Sequence, residues 1–115
     1  MLSAPHRLRR SADFTLTVRK GARAGRSNLV VHCLLRHVDE PVRVGFTVGA
    51  GVGNSVVRHR ISRQLREIVK PLLNSVPAGT NIVVRALPGA ATCGHEALVA
   101  EVTGGLATAL KKATS

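Results

Sequence analysis

Between Gly53 and Lys70 the chain reads GNSVVRHRISRQLREIVK, in which Arg58, Arg60, Arg63, Arg66 and Lys70 stand against one acid, Glu67. A guanidinium stays charged at any physiological pH and bonds phosphate oxygens through a planar fork of donors. The chemistry on offer is therefore grip on a polyanion. An ordinary solvated helix face mixes both signs to avoid self-repulsion, and this stretch does not. His59 adds a hydrogen-bond donor within it. The Gly-rich turn ending in Gly53 and Asn54 lets a phosphate approach backbone N–H groups at a helix N-terminus.

A helix must position these groups. At about 100° per residue, Val57, Ile61, Leu65, Ile68 and Leu72 share one side, while His59, Ser62, Arg63, Arg66 and Lys70 lie opposite and Arg58 and Arg60 flank the stripe. Asn54 is a natural N-cap and Pro71, lacking an amide hydrogen, marks a stop or kink. If the apolar stripe packs on a core, the cationic side faces outward.

Other chemistries have weaker support. His6, His32, His37, His59 and His95 sit in no recognisable pairing with a carboxylate or nucleophile, and six acids in all form no cluster for a two-metal site. Cys93, His95 and Glu96 lack the second ligand pair that structural zinc wants. GAGVGN at 49–54 imitates a dinucleotide fingerprint, but its third small residue is Asn54 and the following helix carries arginines, so no nucleotide cofactor is expected. Two cysteines make no disulfide framework, and Cys33 and Cys93 are expected reduced.

The 115 residues suffice for one domain with one core. The net charge of +11 is uneven: residues 1–70 hold 14 Lys or Arg against 4 Asp or Glu, and residues 71–115 hold 3 against 2. Such a field attracts phosphate backbones at long range. No apolar run approaches the roughly 20 residues that span a bilayer, so no membrane partner is expected and the location expected is cytoplasmic. With no Trp or Tyr and only Phe14 and Phe46, aromatic stacking platforms are scarce and arginine must do most of the recognition.

Along the chain, residues 1–10 read as a basic, flexible lead-in carrying Arg7, Arg9 and Arg10. Ser11 is expected to cap a helix reaching about Arg19, with Phe14 and Val18 four apart and Gly21 as terminator. Arg23 and Arg26 fall in a loop. Strands are expected over 28–35, 43–48 and 81–86, the second with Val44, Phe46 and Val48 alternating. A last helix spans about 95–111, weakened by Gly104 and Gly105. The result is an α+β two-layer sandwich with helices on one sheet face.

RVGFTV followed by VGNSVVRHRISRQLRE resembles the protein component of bacterial ribonuclease P, matching at Gly53, Asn54, Val57, Arg58, Arg60, Ile61, Arg63, Leu65 and Arg66. RLRRSADFTLTVRKG and GTNIVVRA corroborate it across the chain. The resemblance implies the order α-β-β-β-α-β-α in a ribosomal protein S5 domain 2-like fold with a left-handed βαβ crossover, against the usual hand. It implies a ribonucleoprotein endonuclease that removes the 5′ leader of precursor tRNA, in which the catalytic RNA and its Mg2+ ions do the chemistry. By the same resemblance Asn54, Arg58, Arg60, Arg63 and Arg66 contact the catalytic RNA, while Phe14, Val18 and the strand Val31, His32 and Cys33 line a leader cleft. The chain departs from the family pattern at His59, at Gly49-Ala50-Gly51, at Val18 and at His32, where aromatic, basic or amide residues are common. Weaker leader stacking is the expected consequence. The competing reading is a non-catalytic basic ribosomal or DNA-binding module.

Overall fold

A computed structural model describes residues 3–115. Helix α1 (Ser11–Lys20) leads into strands β1 (Ala22–Gly25), β2 (Leu29–Leu35) and β3 (Arg43–Thr47), then α2 (Ser55–Val69), β4 (Thr80–Ala86) and α3 (His95–Thr114). This is the order the resemblance implies. The sheet runs β1-β2-β4-β3; β2 lies antiparallel to β1 and β4, and β3 lies parallel to β4 across the α2 crossover.

Period-2 alternation divides the sheet into two faces. Ala24, Leu29, Val31, Cys33, Val44, Ile82, Val84 and Ala86 enter one core with Ile61 and Leu65 of α2 and Leu98, Val102 and Leu106 of α3. The predicted stripe of α2 is thus the buried one: Ile61, Leu65 and Ile68 are buried, and Val57 and Leu72 pack partly against the same core. Asn54 caps the helix, its Oδ1 accepting from Val57 N–H at 3.0 Å. One residue before Pro71 the α-helix gives way to a 3₁₀ turn, Lys70–Ser75.

Several expectations are corrected. Helix α1 lies across the opposite sheet face from α2 and α3, its Phe14 ring resting on Gly45, where any Cβ would collide with it. Arg10, not Ser11, is the N-cap residue, because Asp13 and Phe14 both donate to the Arg10 carbonyl. Arg23 belongs to β1, held there by pairing with β2 while Ala24 fills the core. Gly21 does end α1, yet at an extended φ of −74°; glycine is needed because a Cβ would strike the Thr17 and Cys33 carbonyls. Gly105 does not break α3. Its bare Cα lets the helix approach Val31, whose Cγ2 would sit 2.8 Å from an added Cβ.

The lead-in, expected to be flexible, is docked over its described part; residues 1–2 lie outside the described residues. After a 3₁₀ turn at Ala4–His6, Arg7 bridges Val44, and Leu8, only 5% exposed, donates its N–H to the Val44 carbonyl at 3.0 Å. The edge of β3 offers unpaired backbone groups, and Leu8 supplies the apolar anchor.

Candidate nucleic-acid interface

Packing the apolar stripe of α2 inward turns its cations outward. His59, Arg63 and Lys70 are exposed, at spacings of four and seven that keep them on one side of the helix. Three other arginines are partly engaged by the protein. Arg60 is exposed, but its Nη2 donates to the Ala91 carbonyl at 3.0 Å, which aims the guanidinium along the helix flank. Arg66 is half-buried with its guanidinium 6.0 Å from the centre of the Phe46 ring, a cation–π distance. Arg58 is half-buried too, its Nε enclosed without an acceptor among the described residues. The rail is therefore graded, with Arg63 and Lys70 the freest cations and Arg58 and Arg66 oriented by packing.

Gly53 and Asn54 set the entry to this helix. A Cβ on Gly53 would lie 2.8 Å from Val57 Cβ, so glycine lets the loop close against the first turn that Asn54 caps. Because the Asn54 side chain already takes the Val57 N–H, that donor is not available to a phosphate. Arg7, Arg9 and Arg10 are exposed along the docked lead-in, and Arg7 and Arg9 share a groove of about 440 Å³ with Phe14 and Arg66.

The second sheet face gathers a different set. Arg23, His32, Val83 and Gly45 stand side by side on four neighbouring strands, with the Phe14 ring over Gly45. At about 4.8 Å per strand, His32 and Gly45 are about 10 Å apart. Phe14 and His32 thus share one face. Val31 and Cys33 do not: both are fully buried on the α2 and α3 side, as neighbours of His32 in a strand must be. Their placement in a leader cleft is overturned. Val18 is 45% exposed on α1, so it is not a core residue.

His32 is 5% exposed, and burial with Arg23 and Arg85 nearby pushes its pKa below the ordinary value of 6.5, keeping the ring neutral at neutral pH. Its Nδ1 has no partner among the described residues. Arg23 and Arg85, both exposed, add a cationic margin to this face that sequence reading passed over. Arg85 was recoverable, since it alternates with Val84 and Ala86 in β4. Burial drives the Cys33 thiol up to about 12, so it is inert. Among the described residues no three His, Cys, Asp or Glu side chains come together as metal ligands, and no helix is long and apolar enough to cross a membrane.

The sequence pattern of the family described as Ribonuclease P matches residues 2–110. The chain belongs to the ribonuclease P protein family. It is 51% identical over 112 residues to the Ribonuclease P protein component of Rhodococcus opacus (strain B4), covering 92% of this chain and 90% of that one. To the Arthrobacter sp. (strain FB24) component it is 45% identical, covering 97% and 82%. The fold agrees with solved structures of the family: the Staphylococcus aureus RNase P protein superposes with a TM-score of 0.78 at 26% identity, over 91% of this chain and 97% of that one. A Thermotoga maritima RNase P protein solved with 1-(4-fluorophenyl)-2-thiourea gives 0.71 at 27% identity, over 91% and 97%. Ribonuclease P membership makes this chain a protein subunit of a tRNA-processing ribonucleoprotein.

Proposed function

We propose that the chain grips the catalytic RNA of ribonuclease P through the outer side of α2 and the lead-in, and offers the α1 side of the sheet to the 5′ leader of precursor tRNA. The holoenzyme then removes the leader endonucleolytically in the cytoplasm, with the protein supplying charge neutralisation and positioning. The observation that carries this reading is the pairing on α2 of an apolar stripe, buried at Ile61, Leu65 and Ile68, with an outward row of His59, Arg63 and Lys70. The described residues bring no ligand cluster together that would hold Mg2+, and on this reading the ions are held by RNA and substrate. RNA-free protein is therefore expected to cleave nothing. Added to the RNA subunit, it should lower the magnesium concentration needed for half-maximal precursor cleavage. Metal-dependent cleavage by rigorously RNA-free protein would refute the division of labour.

The leader side makes its own prediction. Val18 stands in solvent one turn beyond Phe14, so Val18→Phe adds a ring without filling a core. Stacking a base on an aromatic is worth roughly 1–3 kcal/mol. Val18→Phe should tighten holoenzyme binding to precursor tRNA bearing a leader of several nucleotides and leave mature tRNA affinity unchanged; Phe14→Ala should do the reverse. Equal effects on precursor and mature tRNA would place the leader elsewhere.

A further inference from the structure

Gly45 leaves a bare patch on β3, and the Phe14 ring fills it end-on. A Cβ built on Gly45 would overlap the ring atoms Cζ and Cε1 and lie 3.0 Å from Cε2. Helix α1 has little room to rise and relieve such a contact. Its C-terminal half is pinned, with Thr17 fully buried and Gly21 so close to the Cys33 carbonyl that it too has no space for a Cβ. Its N-terminus follows the lead-in, which Leu8 anchors on Val44. The ring can therefore give way only by turning about its own side-chain bonds.

The space it would turn into is the groove of about 440 Å³ that Phe14 and Gly45 line together with Arg7, Arg9 and Arg66. Phe14 is half-buried, so its tip is seated in the sheet while the rest of the ring borders this groove. Carbon atoms need about 3.5 Å between centres, and an added Cβ would push the ring outward by roughly 1 Å, into the room that a stacked base requires. We propose that Gly45 is a positioning residue for the 5′ leader: its missing side chain seats Phe14 low enough to keep the groove open. This rests on the reading that the leader stacks on Phe14, and extends it from the ring to the backbone position that sets the height of the ring.

Holoenzyme reconstituted with each variant, titrated against precursor tRNA bearing a leader of several nucleotides and against mature tRNA, tests the proposal. Gly45→Ala is expected to weaken precursor binding by about three- to tenfold, part of a full stacking contribution, and to leave mature tRNA within about twofold. Phe14→Tyr places a hydroxyl on Cζ, the atom seated on Gly45. It should give the same leader-specific loss without touching β3, although tyrosine stacks bases as phenylalanine does. Leucine has no Cε or Cζ, so in a Phe14→Leu background, already weak for the leader, Gly45→Ala should cost no more than about twofold. Should Gly45→Ala fail to fold, Phe14→Tyr decides. Precursor and mature tRNA weakened alike, or an equal cost of Gly45→Ala in both backgrounds, would make Gly45 a packing residue only. If Gly45→Ala and Phe14→Tyr both bind precursor normally while Phe14→Ala shows a leader-specific loss, the seat is overturned and the leader reading stands. No leader-specific loss in Phe14→Ala would remove that reading and the proposal with it.

Discussion

Arg60→Ala and Arg63→Ala are each expected to weaken binding to the RNA subunit by about 1.5–3 kcal/mol, the range for a hydrogen bond to a charged group. The two should differ in stability. Arg63 is exposed and makes no hydrogen bond or ion pair among the described residues, so its loss should leave the melting temperature unchanged; Arg60 also ties α2 to the Ala91 carbonyl, so its loss should lower the melting temperature slightly. In the double variant the salt dependence should flatten by about 1.4–1.8, two contacts' worth. Titrations at several salt concentrations, run beside thermal melts, check both. Unchanged affinity and slope with an intact melt would return this side of α2 to an ordinary solvated surface.

Leu65→Ala is expected to lower folding stability by about 2–5 kcal/mol, the cost of truncating a fully buried leucine and leaving a cavity. Leu65 is 0% exposed at the centre of the α2 stripe, and a domain of this size has only about 5–15 kcal/mol in hand. The expected consequence for RNA binding is indirect. Below the lowered melting temperature the arginines still project from an intact helix, so affinity should stay within a few-fold of the parent, and the difference should appear as a steeper fall on warming. Denaturant unfolding measures the first effect and temperature-resolved binding the second. A loss under about 1 kcal/mol would mean that the stripe is not the packing surface of α2.

These substitutions mark the boundary between what is local and what is not. The two-sided character of α2, its Asn54 cap and its end before Pro71 were all legible in the sequence, because helical period, capping and the missing proline N–H act within a few residues. Strands β2, β3 and β4 were legible for the same reason. The outward-facing arginines followed from α2 alone, since burying one side of a helix leaves the other outside.

Other features depended on partners far away in the chain. Ala22–Gly25 is short and alternates only alanine with Arg23, too weak a signal to read as a strand, and becomes one because the edge of β2 offers it a ladder. RLRR gives no sign of docking; the edge of β3 and a slot for Leu8 decide that. Gly104-Gly105 looks like a weak point by helix propensity, yet Gly105 is where α3 must approach Val31. The α1 side of the sheet shows the division most clearly. Strand geometry alone requires Val31 and Cys33 to point away from His32, so the sequence could have excluded all three from sharing one cleft. It could not have said which side was the core, because all three are small enough or apolar enough to be buried. That choice was made by α3 packing on Val31 while the Phe14 ring took the bare surface of Gly45, contacts between segments that share no local signal.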